Sequence, residues 1–253
     1  MHYVLSDIHG DRAAFDKVLD LINLRDKDCL YILGDVIDRG QYGIELLQRI
    51  RGMANCTLLQ GNHEHMMIKA LRHLEASRNM RIWRNNGCDY TYQRFMTLPS
   101  SDQEELLKYL ESVPVQMEVE AEGKQYVLVH AAPMELYEQL NWKYHDPTEF
   151  AVWHRLRFES DLLDNKTVIY GHTPTKYVMA QIWPTMRIFH NGRAVNIDCG
   201  CGYPELGGQL GCLRLEDMTE YYSAEGIVTA KEAADWKRAM HRKWGDGEDQ
   251  HER

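Results

Sequence analysis

The chain has 253 residues, 44% hydrophobic and 26% charged, with a formal net charge of −9. That length suffices for a full core, in one large domain or two small ones. The acid excess argues against a stable nucleic-acid partner, whose phosphates call for basic patches, and no apolar run is long enough to cross a membrane.

Residues 2–5 read as a first strand, ending in Ser6-Asp7-Ile8-His9-Gly10. A strand this early leaves no room for a signal peptide. The six cysteines at 29, 56, 88, 199, 201 and 212 contain no CxxC pair, so a cytoplasmic protein with reduced thiols is expected. Cys29 and Cys56 lie in apolar runs and are expected to be buried. Residues 11–24 carry Ala14, Phe15, Val18, Leu19 and Ile22 at helical spacing. A second strand, 29–33, runs into Gly34-Asp35-Val36-Ile37-Asp38-Arg39-Gly40, and a helix follows over 42–51. A third strand, 56–60, ends in Gly61-Asn62-His63-Glu64. Three rounds of strand, loop and helix predict an α/β sheet with helical crossovers.

From 65 to 112 the pattern turns helical. Met66, Met67, Ala70, Leu71 and Leu74 extend one helix, a segment rich in Trp, Arg and Asn follows at 83–87, and 102–110 forms another helix capped by Ser100 or Ser101. No flexible linker flanks this stretch, so a single domain, 1–253, with a helical insertion at 65–112 is expected. Strands return at 115–121 and 126–129 around a hairpin turn, the second ending at His130. An irregular stretch holds Trp153-His154-Arg155, and a strand at 167–170 leads into Gly171-His172-Thr173-Pro174. Short strands are expected near 178–182, 187–190, 194–198, 211–215 and 219–223, and a last helix at 230–244.

Five strand ends therefore finish in metal-competent side chains: Asp7 and His9, Asp35 and Asp38, Asn62 and His63, His130, and His172. Each has a bland alternative. Asp7 suits a helix cap, Asn62 a turn, and a lone His after an apolar run is usually a satisfied histidine. Together they make a crowded polar cluster that needs compensation, and two divalent cations supply it. Mixed oxygen and imidazole donors suit manganese foremost, with iron, zinc, nickel or cobalt also acceptable. Asp7 and His9 alternate along an extended segment, so both face one ion only if the strand has begun to turn. Such a pair of metals clamps a phosphate and lowers the pKa of a bridging water.

In order and spacing, these five blocks resemble the signature of the calcineurin-like metallophosphoesterases, and within them the bacterial and phage branch of the serine/threonine protein phosphatases. Trp83-Arg84-Asn85-Asn86-Gly87, Val152-Trp153-His154-Arg155 and Asn196-Ile197-Asp198-Cys199-Gly200 also resemble that branch. The resemblance implies a two-sheet β-sandwich flanked by helices, with a dimetal site at strand ends. It implies that Asp7, His9 and Asp35 hold one metal, and Asp35, Asn62, His130 and His172 the other. His63 would be the general acid, hydrogen-bonded to Asp38. Arg39 and Arg155 would grip phosphate, with Asn62 also at the substrate; for Arg155 a surface ion pair is the competing reading. Pro174 stands where many metallophosphoesterases carry a second histidine, two residues on from His172, and Thr173-Pro174 fits the protein-phosphatase branch. The expected substrate is a phosphorylated protein or peptide, with phosphotyrosine also accepted. A dinucleoside polyphosphate, a cyclic nucleotide or another small phosphoester is the enzymatic alternative, and a non-catalytic phosphoprotein-binding scaffold is the alternative of another class. Cys199 and Cys201, in the loop returning to the site, are candidates for redox sensitivity, and Tyr203 in that loop for substrate contact.

Overall fold

The computed structural model describes residues 1–72, 76–140, 143–156, 162–178 and 185–244. Strands β1 (His2–Leu5), β2 (Cys29–Ile32) and β3 (Cys56–Leu58) pair in parallel, as the alternation with helices α1 (Arg12–Ile22) and α2 (Gly43–Arg51) predicts. Helix α1 is capped by Asp11, whose carboxylate accepts from the Ala14 amide, so Asp7 is free of the capping role. Four helices then occupy one stretch: α3 (Asn62–Arg72), α4 (Ala76–Asn85), α5 (Asp89–Met96) and α6 (Ser100–Ser112). The Trp/Arg/Asn segment is thus the end of a helix, while Leu74 lies outside the described residues. The expected Ser100 or Ser101 cap is absent. Pro99 holds the N-cap position without a side-chain bond, and Glu104 pairs with Arg72 of α3.

Strands β4 (Gln116–Ala121) and β5 (Lys124–Val129) form the expected hairpin. Glu122 and Gly123 both have positive φ, the conformation that lets a tight turn follow the twist of its strands. Short helices α7 (Tyr137–Leu140) and α8 (Pro147–Trp153) precede β6 (Lys166–Tyr170), which is followed by α9 (Thr175–Val178). Val178 therefore ends a helix, contrary to the strand expected near 178–182, and 179–182 lie outside the described residues. Five short strands follow: β7 (Phe189–Asn191), β8 (Ala194–Asn196), β9 (Gly211–Arg214), β10 (Glu220–Tyr222) and β11 (Gly226–Val228). Helix α10 (Ala230–Trp244) closes the fold. No helix among the described residues is long and apolar enough to cross a membrane.

The strands form a six-stranded sheet, β11-β10-β9-β1-β2-β3, and a five-stranded sheet, β4-β5-β6-β8-β7. Alternation along each strand builds the layers. Val4, Tyr31, Leu33 and Leu59 face Val119, Leu128, Ile169 and Val195 across the sandwich. Tyr3, Leu5, Leu30 and Ile32 point the other way, onto Phe15, Val18, Ile44 and Leu47 of α1 and α2. Val127, Val129 and Val168 pack outward on Phe150 and Ala151 of α8. Trimming one such fully buried leucine, Leu128→Ala, costs about 2–5 kcal/mol. The layering brings the C-terminal ends of β1, β2 and β3 in one sheet against those of β5, β6 and β8 in the other.

Candidate active site

The ladder between β1 and β2 continues past the last residues of both strands. Asp7 N donates to Gly34 O at 3.2 Å, His9 N to Asp35 O at 2.9 Å and Gly10 N to Val36 O at 2.8 Å. Those bonds hold two ligand-bearing loops side by side. Asp7, His9, Asp35, Asp38, Arg39 and His172 all sit at positive φ, between 49° and 71°. This region is disfavoured for residues with a Cβ, and clusters of it mark sites where the surrounding fold imposes the geometry. The turn required for Asp7 and His9 to face one point is present.

Two donor groups converge. His9, Asp35 and His63 form one, Asp35, His130 and His172 the other, each with ligand atoms within 4.8 Å of one another. Asp35 belongs to both. Asn62 lies beside the second, its Oδ1 at 2.9 Å from His130 Nε2 and 2.9 Å from His172 Nδ1. Asp7 completes the first: Oδ1 is 3.9 Å from His9 Nε2, while Oδ2 accepts from Ser6 Oγ and the His172 amide. All seven of these residues are buried.

The tautomers bear directly on metal binding. His9 Nδ1 donates to the Ile37 carbonyl at 3.1 Å and His130 Nδ1 to the Leu33 carbonyl at 2.8 Å, which leaves each Nε2 with a lone pair. With that tautomer His130 Nε2 meets Asn62 Oδ1 acceptor to acceptor at 2.9 Å, a contact that a cation bound by both atoms relieves. Burial, reinforced by Arg39 and His63, holds His9 well below the ordinary imidazole value. Burial likewise lowers His130, and lowers His172 further with His130 and Arg155 adding to it. Asp35 is pushed well above the carboxylate range by burial, opposed by His63 and reinforced by Asp7 and Glu64. Neutral imidazoles around crowded carboxylates are the donor set a divalent cation takes up.

His63 is set apart. Its Nδ1 donates to Asp38 Oδ2 at 2.6 Å, and Trp83 Nε1 donates to the same oxygen at 2.7 Å. Burial pulls the His63 pKa down, but Asp35 and Asp38 outweigh it and the net shift is upward. Its Nε2 faces the ligands, 3.8 Å from Asp35 Oδ2 and 3.4 Å from Arg39 Nη2. Arg39 also donates to His9 Nε2 at 2.7 Å and lies on the Tyr203 ring, 4.6 Å from its centroid. Arg155 is exposed and donates to Thr173 Oγ1 at 2.7 Å, with no carboxylate partner among the described residues.

Three participants escaped the sequence reading. Glu64, fully buried, accepts from the amides of Asp35, Val36, Ile37 and Gly61 at 2.8–3.4 Å, and so moulds the loop that carries Asp35. An acid at the start of a helix was the available signal. Trp83 fixes Asp38 from α4. Asp198 is a further buried carboxylate; burial, then Asp7, pushes it well above its usual range. The remaining cysteine expectations are modified. Cys29 and Cys56 are half-buried, whereas Cys199 and Cys201 are buried free thiols whose pKa burial pushes well up, which disfavours the thiolate.

The calcineurin-like phosphoesterase family model matches residues 3–179. The chain belongs to that family, which implies a dinuclear divalent metal site, and the His and Asp cluster described above offers candidate ligands for it. A symmetrical bis(5'-nucleosyl)-tetraphosphatase of Paracidovorax citrulli (strain AAC00-1) is 27% identical over 179 residues, covering 69% of this chain and 58% of that protein. The chain thus spans little more than half of that relative's length. The serine/threonine-protein phosphatase 2 of Salmonella typhimurium (strain LT2) is 29% identical over 185 residues, 69% of this chain and 80% of that one. The cold-active protein-tyrosine phosphatase of a psychrophilic Shewanella sp. superposes with a TM-score of 0.57 at 19% identity, over 90% of this chain and 79% of its own; that likeness speaks to the fold alone.

Proposed function

We propose that the chain hydrolyses the phosphoanhydride of dinucleoside polyphosphates, with Asp7, His9 and Asp35 holding one metal and Asp35, Asn62, His130 and His172 the other. The observation that carries the metal assignment is the acceptor-to-acceptor contact of His130 Nε2 and Asn62 Oδ1 beside Asp35, which both donor groups share. Similarity to the symmetrical tetraphosphatases supports the substrate class. When bound, the ions polarise the phosphate and offset the charge that builds as the P–O bond breaks.

The chain's own residues do the rest. Arg39 and Arg155 hold phosphate oxygens, with Asn62 also at the substrate. Arg39's planar fork, braced on Tyr203, meets two oxygens where a lysine meets one. Asp38, itself held by Trp83, takes the Nδ1 proton of His63, so in the imidazolium the transferable proton rides on Nε2, the nitrogen facing the site. As water oxygen joins phosphorus and the P–O bond to the departing group breaks, His63 Nε2 gives its proton to the departing oxygen.

A second reading, phosphoserine and phosphothreonine hydrolysis, is favoured by the intact Asp38-Arg39-Gly40 and Asn62-His63-Glu64, and by the Salmonella phosphatase matched over most of its length. The test is to strip metals with chelator, restore manganese, and compare diadenosine tetraphosphate, a phosphothreonine peptide and p-nitrophenyl phosphate at equal concentration. Manganese-dependent turnover highest on the dinucleotide is expected. Peptide turnover well above it would replace the first reading with the second.

A further inference from the structure

A row of side chains leads outward from the ligand cluster. Arg39 touches His9 at one end and lies on the Tyr203 ring, and the Tyr177 ring stands edge-on to Tyr203 with centroids 6.3 Å apart at 82°. Tyr177 belongs to α9, which starts three residues after His172, and Tyr203 belongs to the loop beyond Asp198. A Cβ on Gly202 would come within 2.8 Å of both His9 Cδ2 and Arg39 Nη1, so the backbone beside Tyr203 lies directly against the site. Tyr177 is 53% exposed, a large aromatic that stabilises no core. Neither phenol hydroxyl has a hydrogen-bond partner among the described residues.

Tyr203 has a positioning role already, because its face stabilises the Arg39 cation. Tyr177 has none, and it stands one ring further from the phosphate-holding guanidinium, where a group across a ribose from that phosphate arrives. We propose that Tyr177, with the outer edge of Tyr203, is the stacking subsite for a nucleobase of the substrate; this rests on the dinucleotide reading above. Every nucleobase offers a π-face, so such a wall selects for a base without choosing among bases. Adenine and guanine dinucleotides are then cleaved alike, and phosphoesters lacking a ring forgo the contact.

The test uses the full manganese-loaded chain and compares diadenosine tetraphosphate, β-glycerophosphate and a phosphotyrosine peptide in the wild type, Tyr177→Ala and Tyr177→Trp. In Tyr177→Ala, kcat/KM for the dinucleotide is expected to fall about tenfold relative to β-glycerophosphate, through KM, in keeping with the loss of one base–aromatic stack. Tyr177→Trp restores it. Diguanosine tetraphosphate follows the same pattern. Dinucleotide turnover with an unchanged ratio in Tyr177→Ala overturns the subsite and leaves the dinucleotide reading standing. A protein that leaves the dinucleotide intact, with the alanine loss confined to the phosphotyrosine peptide, overturns both.

Discussion

The two ends of the six-stranded sheet treat buried charge in opposite ways. At the end where β1 and β2 begin, Asp28 takes bonds from the Arg25 amide and guanidinium and from the Met1 ammonium, and Glu216 takes bonds from the His2 amide and ring. Arg25 holds Asp28 well below the carboxylate range, and His2 more than offsets the burial that would raise Glu216. At the end where those strands finish, Asp35 and Asp198 are driven the other way by burial, and the imidazoles of His9, His130 and His172 are driven neutral. Asp38 Oδ1 is left with no hydrogen-bond partner among the described residues. His2, Asp28 and Glu216 have ordinary backbone angles, while six residues at the other end are left-handed. One end is neutralised by the chain itself. The other is built to take its compensating charge from outside, and that is where the proposed chemistry falls.

The contrast can be broken most severely at Asp35, which both donor groups share. Asp35→Asn removes the shared carboxylate, and turnover on every phosphate substrate is expected to drop to background, with metal content measured alongside. His63→Asn is milder: metals stay bound while kcat falls about 10²–10⁴-fold, the usual contribution of a general acid. The loss should be largest on poor leaving groups, and full turnover on an alkyl phosphate would show that His63 does not supply the proton.

Metal removal sharpens the comparison thermodynamically. Manganese at a hundredfold its Kd is expected to stabilise the protein by about 2.7 kcal/mol, read as a rise in Tm, and Asp35→Asn should abolish most of that rise. Glu64→Gln leaves fewer acceptors for the amides of Asp35, Val36, Ile37 and Gly61 and should cost about 1–3 kcal/mol, with weaker metal binding as the loop relaxes.

The smallest functional effect belongs to the opposite end. Asp28→Ala should lower stability while kcat and metal content stay at wild-type values. The pH dependence has a definite sign. The folded pKa of Asp28 is depressed, so its contribution is present above the unfolded value of about 4 and is lost as pH falls below it. Asp35 in the metal-free protein has a raised folded pKa, so its ionisation opposes folding at neutral pH and the penalty eases on acidification. Acid titration of Tm should therefore be shallower in Asp28→Ala than in the wild type.

Much of this was legible along the chain because a parallel strand end is a local event. An apolar run, a glycine and a metal-competent residue lie within a few positions of one another, and period-2 alternation places the run in a buried sheet. The five strand ends, the helices α1, α2 and α10, and the Glu122-Gly123 turn all followed from such short-range patterns. Ser100 and Ser101 misled because a cap must be chosen by backbone direction, and Pro99 had already set it. The strand expected at Val178 misled because a short apolar run does not reveal its period. Strand β11 is only three residues long and carries a half-exposed isoleucine, too little to register.

What the sequence by itself determined is the set of groups that can bind metal and phosphate and the order in which strand ends present them. Tertiary structure decided which groups touch. Glu64 bonding the amides of Asp35, Val36 and Ile37, Trp83 reaching Asp38 across 45 positions, Asp198 buried near Asp7, and Tyr177 meeting Tyr203 all join residues far apart in the chain. Such contacts depend on how two sheets and their helices pack, and local spacing carries no record of that packing. Burial decided the charges as well, because the same carboxylate is ionised early beside Arg25 and late among imidazoles and other acids.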